Sequence, residues 1–412
     1  MSDARAAEAW ATYATHLECS ATGERHDKDV QHNLSRAGRP LLVRYDLPGA
    51  ARSFTREALA ERPRTMWRYR ELLPVPSAAD VVSLDEDMTP LVRLPRLAPK
   101  GGELLVKDEG RLPTGSFKAR GLAISVSMAK HFGLRRLAIP TNGNAGSALA
   151  AYGGRAGMEV FVFCPEETPE VNVREAAFHG ARLWRANGQI GDCSNLISAG
   201  REVMGWHDVS TLKEPYRVEG KKTMGLEVLE QLGWQVPDAI FYPTGGGTGI
   251  IAMAKVFDEL EALGFIGKER PRLVVVQSTG CGPLVEAFDA GKEEVETPWV
   301  DPKTWVNGVR VVKPFADRLI LKAVRDTKGF AVAVSDEAAM DAQATVARQE
   351  GLLLCPEGAA CYAAWQKALA AGQVAKGDRI VLFNTCNGLK YPLPEVTGRL
   401  DLTRPVDFSA LA

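Results

Sequence analysis

The sequence predicts an α/β protein with a mainly parallel sheet, and two regularities predict it. From about Leu104 onward, short β-branched or apolar runs alternate with longer helical patterns, as βα units do. Glycine and small polar residues gather at three strand-to-helix turns, and open α/β sheets bind ligands at the carboxyl ends of their strands. A length of 412 residues suits two packed domains, or one large domain with an insertion.

The strand candidates, in chain order, are LLVKD, LAIPT, VFVFC, AIFYPTG, LVVVQS and IVLFNT. Between them lie the helical stretches GLAISVSMAKHFG, GSALAAYGGRAG, GIIAMAKVFDELEALG and AACYAAWQKALAAG, each ending in the glycine that a left-handed cap requires. Residues 1 to about 50 are crowded with Glu, Arg, His and Asp, show little periodicity, and read as a small N-terminal appendage. Its Cys19, His26 and His32 lack the close-paired, four-ligand pattern of a structural zinc site, so no metal is expected.

Composition narrows the partner. Hydrophobic residues at 45% and charged residues at 25% are the proportions of a globular protein. Fifty Lys plus Arg balance 51 Asp plus Glu, which offers no long-range pull toward nucleic acid or an anionic membrane. A small metabolite is the expected ligand. No stretch reads as a leader or as a membrane span, so a cytoplasmic protein is expected. The seven scattered cysteines form no CxxC pair, and Cys386, after a strand end, reads as a small packing residue.

Four constellations carry chemistry. In KDEGRLPTGSFKARG, Pro113-Thr114-Gly115 makes a turn, Ser116 reads as the N-cap, and Lys118 falls in the first turn of the helix that follows. Unpaired backbone N–H groups and the helix dipole disfavour charge on Lys118, which suits an amine that forms an imine. Position alone also allows a solvated lysine. In IPTNGNAGSALAAYGG, the loop Thr141-Asn142-Gly143-Asn144 presents amides to an anion or a phenolate, or is an ordinary Asn-Gly turn. In FYPTGGGTGIIAMAKVF, Gly245, Gly246, Gly247, Thr248 and Gly249 let the backbone wrap a phosphate at a helix N-terminus, or make a flexible tight turn. The pattern is neither GxGxxG nor a Walker loop, so a monophosphate fits better than a nucleotide. In IVLFNTCNGLKYP, Asn384 and Thr385 end a buried strand, either as strand-end caps or as partners of a heterocycle.

Taken in chain order, these pieces resemble the fold-type-II pyridoxal-phosphate enzymes, and among them threonine synthase most closely. The likeness runs from WRYRELLPV through TPLVRLPRLA, SFKARG and PYRVEGKKT to NTCNGLKYP, roughly residues 67 to 395. It implies pyridoxal 5'-phosphate as cofactor, held as an imine by Lys118, with Asn144 against its phenolic oxygen. Gly245 to Gly249 would cradle its phosphate, and Thr385 would meet its pyridine nitrogen. It further implies two open twisted α/β domains with the cofactor between them: residues 51–130 with 222–412 as the large domain, and 131–221 as a small mobile one. A homodimer is implied, and so is the conversion of O-phosphohomoserine and water to threonine and phosphate. Thr141, Asn142, Gly143, Arg217 and Lys222 would face the substrate.

Several positions depart from the family pattern, mostly on the substrate side. TNGNA replaces a loop that usually reads like STGNT, Ala119 replaces an acid, and Leu212 and Glu214 stand where serine and asparagine are usual. The N-terminal segment resembles the zinc ribbon of some relatives, with only Cys19 left of four cysteines. These departures keep open a β- or γ-replacement or elimination on a related amino acid. They also leave a deaminating lyase like serine/threonine dehydratase, and a non-catalytic cofactor or amino-acid sensor.

Overall fold

A computed structural model describes residues 10–394, 397–406 and 408–411. The chain opens with a three-stranded antiparallel sheet of β1 (Ala14–Cys19), β2 (Arg25–His26) and β3 (Leu41–Tyr45), in the order β2-β1-β3. It then enters a larger sheet with β4 (Leu91–Arg93) and β5 (Glu103–Asp108). From there it leaves to build a four-stranded parallel sheet from β6 (Arg136–Pro140), β7 (Glu159–Pro165), β8 (Arg182–Ala186) and β9 (His207–Asp208), in the order β8-β7-β6-β9. It returns with β10 (Ala239–Pro243), β11 (Arg272–Ser278), β12 (Phe330–Val334) and β13 (Arg379–Asn384), closing a six-stranded sheet in the order β12-β11-β10-β13-β5-β4. Only the β4–β5 pair of that sheet is antiparallel.

The inner strands of the large sheet are buried on both faces, which is why they read as continuous apolar runs instead of alternating ones. Along β5, β10, β11 and β13, successive residues serve opposite cores. Leu105, Ile240, Tyr242, Val275 and Phe383 pack with the helices Tyr216–Gln231, Thr248–Ala262 and Asp317–Asp326. Val106, Phe241, Val274 and Leu382 pack with Asp336–Glu350 and Pro356–Ala370. Each such side chain, fully buried, contributes about 1.5–3 kcal/mol.

All six strand candidates and all four glycine stops are found: Gly133, Gly157, Gly264 and Gly372 take φ between 68° and 75°. The helix Lys118–His131 packs its apolar side chains, Leu122, Ile124 and Val126 among them, into the cluster that also holds Leu137, Ile139 and Val162 of the smaller sheet.

Three helices meet at very short range, which positions the site. A Cβ on Gly220 would stand 2.0 Å from the Arg120 carbonyl oxygen, one on Gly121 2.9 Å from that of Arg217, and one on Gly225 2.7 Å from the Val256 side chain. Glycine therefore lets Tyr216–Gln231 lie against both Lys118–His131 and Thr248–Ala262. Buried ion pairs lock the contact: Arg120 reaches Glu109 at 2.6 Å and Glu227 at 2.5 Å, and Lys107 reaches Glu227 at 2.7 Å.

Candidate active site

The carboxyl-end loops of β6, β10 and β13 converge on one cavity of about 290 Å³, so the three glycine- and amide-rich turns form a single composite site. Its wall includes Lys118, Thr141, Asn142, Gly143, Asn144, Gly245, Gly246, Gly247, Thr248, Gly249 and Thr385.

Lys118 is the first residue of its helix. Ser116, expected as the N-cap, is not: it is extended, forms a bridge with Cys386, and leaves its hydroxyl without a partner, while Phe117 occupies the cap position. The stretch before Lys118 is instead pinned to the loop after β13, with Phe117 N–H donating to the Thr385 carbonyl at 3.0 Å and Asn387 N–H to that of Gly115 at 2.8 Å. That pairing competes with capping and fixes where the lysine emerges. Burial, then the nearby Arg217 charge, hold the Lys118 amine down to about 8. An amine so lowered supplies far more of its neutral, nucleophilic form near neutral pH.

Across the cavity, Gly245–Gly249 forms the cradle. Gly247, with φ 73°, is the N-cap of Thr248–Ala262, and no side chain among the described residues caps that helix. The amide N–H groups of its first turn are thereby free for an anion, and no acidic residue lies in that turn. Side chains would ruin the cradle: a Cβ on Gly245 would lie 2.4 Å from the Gly308 carbonyl oxygen, and one on Gly249 2.1 Å from the Tyr242 ring. The first-turn donors and the bare backbone fit a phosphate monoester, and Lys118 on the same cavity fits an aldehyde.

The β6 loop is shaped by Thr141, whose hydroxyl accepts from Gly143 N–H at 3.0 Å and Gly146 N–H at 3.1 Å and donates to the Gly143 carbonyl at 2.9 Å. Its hydroxyl is thus committed to the loop. Asn144 donates to Cys386 Sγ at 3.2 Å and accepts from Asn172 at 2.8 Å. Cys386 is buried, and its thiol is pushed up to about 12 by burial and then by Glu357, which keeps it protonated and fits a packing role.

Two expected substrate residues lie elsewhere. Lys222 does not line the cavity; its amine is fully buried between Glu219 at 2.7 Å and Glu259 at 2.8 Å, which Lys255 also joins. This ion cluster holds helices together, so Lys222 is corrected to a structural residue. Arg217 stands behind the wall, buried, with one bond from Nη1 to the Val209 carbonyl and with Nε and Nη2 unpartnered among the described residues. Its charge acts on Lys118, as above.

Several polar residues escaped the sequence reading, Asn172, Glu357 and Lys221 among them. Glu357 lines the cavity; its Oε1 accepts from Gly308 N–H at 2.7 Å and Tyr391 Oη at 2.8 Å, while Oε2 has no partner among the described residues. Its position just after Pro356, at a helix start, was the available signal. Lys221, buried beside Thr248, was hidden in the Lys-Lys doublet.

Comparisons with known proteins agree with this geometry. The family described as pyridoxal-phosphate dependent enzyme matches residues 82–385. Threonine synthase from Methanocaldococcus jannaschii is 34% identical over 91% of this chain and 92% of its own. That from Mycobacterium tuberculosis H37Rv is 34% identical over 80% and 89%. Among solved structures, the threonine deaminase of T.th. superposes with a TM-score of 0.59 at 23% identity, over 73% of this chain and 92% of its own. Maize serine racemase gives 0.61 at 20%, over 79% and 90%. These structures share the fold-type-II architecture. By sequence match over most of its length, and by a cavity that joins a lowered lysine to a glycine cradle, this chain belongs to the pyridoxal-phosphate dependent enzymes, as a lyase of the threonine synthase kind.

Proposed function

We propose that the protein converts O-phosphohomoserine and water to threonine and phosphate. The observation that carries this reading is the single cavity that brings Lys118 to face the Gly245–Gly249 cradle. The cofactor, when bound, supplies an electron sink for carbanion character at the substrate. Lys118 would hold it and Gly245, Gly246, Gly247, Thr248 and Gly249 would take its phosphate, with Asn144 and Thr385 meeting its ring. Released from the cofactor, the Lys118 amine has a proton affinity close to ambient pH and can take and return a proton at the substrate carbons.

For the substrate phosphate, Lys213 and Lys313 stand in the wall; the Lys213 amine donates to Ser194 Oγ at 2.6 Å and that of Lys313 to the Glu296 carbonyl at 3.4 Å, so neither is held by a carboxylate among the described residues. Thr141, Asn142 and Gly143 frame the amino-acid end. Residues 51–130 with 222–412 and residues 131–221 would be the two lobes, after an appendage of residues 1–50; the four-stranded sheet, which spans 136–208, supports that division. A cytoplasmic homodimer is the expected form. The test is a panel of amino acids and their phosphate esters, assayed for both inorganic phosphate and 2-oxo acid. Phosphate with threonine from O-phosphohomoserine supports the reading. Oxo acid and ammonia from a hydroxy amino acid, without phosphate release, replaces it with a deaminating lyase.

A further inference from the structure

Of the buried lysines, Lys107, Lys222 and Lys255 each touch a carboxylate within 3.1 Å. Lys221 touches none among the described residues; its amine donates to Thr248 Oγ1. The same amine sits 4.8 Å from the Phe117 ring centroid, and Lys118 sits 4.1 Å from it, so the two amines share one ring. Burial, then the Lys118 and Arg217 charges, push the Lys221 amine well below its usual range; Glu214 alone acts the other way. Glu214, in turn, is itself raised to about 7 by burial. A buried ammonium without a counter-charge is costly, so such an amine is driven toward its neutral form, and an anion bound beside it restores the charged form. Thr248 is the residue of the cradle that Lys221 grips, and it lines the cavity.

We propose that Lys221 is a positioning residue for the phosphate group in the Gly245–Gly249 nest, holding Thr248 in place and placing a positive charge behind the bound phosphate. The inference rests on the reading of that nest as the cofactor's phosphate site. It assigns the charge to the cofactor's phosphate and not to a phosphate carried by the substrate.

The test compares the wild type with Lys221→Met and Lys221→Arg. Each apoprotein is titrated with pyridoxal 5'-phosphate and, separately, with pyridoxal, following the quenching of intrinsic fluorescence, and the phosphorus NMR signal of the loaded protein is recorded. Removing one partner of a buried charge pair is costly, so Lys221→Met should weaken pyridoxal phosphate by at least about tenfold. It should leave pyridoxal binding unchanged, move the phosphorus resonance, and leave the apoprotein no less stable to heat. Lys221→Arg should recover part of the affinity. Equal weakening of both ligands, or weakening of neither, overturns the proposal. So does unchanged cofactor affinity with a raised KM for a phosphorylated substrate, which assigns the amine to the substrate. If wild type binds pyridoxal as tightly as pyridoxal phosphate, the nest does not hold the phosphate, and the underlying reading falls with the inference.

Discussion

The depressed amine of Lys118 has a kinetic signature. With its affinity for a proton lowered to about 8, about one amine in ten is neutral at pH 7, against roughly one in three thousand for an ordinary lysine. The rate at which apoprotein combines with pyridoxal phosphate should therefore rise about fivefold from pH 7 to pH 8 and level off above about pH 9. An unperturbed lysine would gain about tenfold per unit with no plateau below about pH 10. Dividing each rate by that of a blocked free lysine in the same buffer, after that reference has been corrected for its own neutral fraction, removes the cofactor's own ionisation. Arg217 is the largest charged neighbour holding the amine down, so Arg217→Met should move the midpoint upward, by up to about a unit. The linkage has a definite sign: a lysine lowered in the folded state binds fewer protons there than when unfolded. The apoprotein should therefore gain stability from this group as pH rises from about 8 toward the unfolded value near 10.5. A midpoint near the ordinary lysine value, or a downward move in Arg217→Met, would refute the assignment of the shift to burial and Arg217.

Three further substitutions probe separate parts of the argument. Lys118→Ala should abolish both the visible absorbance of the loaded protein and turnover while the apoprotein melts normally; absorbance retained with full turnover removes Lys118 from the mechanism. Gly249→Ala puts a methyl 2.1 Å from the Tyr242 ring, an overpacking worth about 1–3 kcal/mol, so denaturant unfolding should shift and cofactor affinity fall together. An unchanged midpoint would mean that the cradle yields more easily than its packing suggests. Lys222→Met strips one cation from a buried cluster and should cost about 3–5 kcal/mol of stability while leaving KM for the amino acid unchanged. A higher KM at full stability would return Lys222 to the substrate site.

Much of this was legible in the sequence because the physics there is local. A doubly buried parallel strand must be apolar throughout, and a helix stop must tolerate φ near +70°, so β5, β10 and β13 and the four terminal glycines could be read directly. Other strands were silent for equally physical reasons. β8, RLWRA, is an edge strand with exposed arginines, and β9 is two residues long. The cradle and the lysine announced themselves by glycine content and by a turn at a helix entrance. Ser116 misled because a cap preference of about 1 kcal/mol yields to tertiary pairing with the loop after β13. Glu357 and Asn172 gave little signal, since each matters only through contacts that are distant along the chain.

The basic residues of the helix Tyr216–Gln231 show what separates a structural cation from one directed at a ligand. Arg217 and Lys221 are four residues apart and share a face; Lys222, one residue on, is turned by about 100°. On one side, Glu219 and Glu259 balance the charges of Lys222 and Lys255, and the cluster joins this helix to Thr248–Ala262. On the other, Arg217 keeps two unpartnered donors and Lys221 has only a hydroxyl, and both charges bear on each other beside the cavity. Sequence proximity to the substrate motif could not tell these faces apart; the presence or absence of a carboxylate does. Lys222, which the fold neutralises, holds the fold, and Lys221, with no carboxylate partner among the described residues, is the one that its proposed role directs at an anion. Binding of the phosphate-bearing cofactor should accordingly stabilise this protein beyond what its apolar contacts provide, because the bound phosphate supplies a counter-charge that lets the Lys221 amine hold its proton.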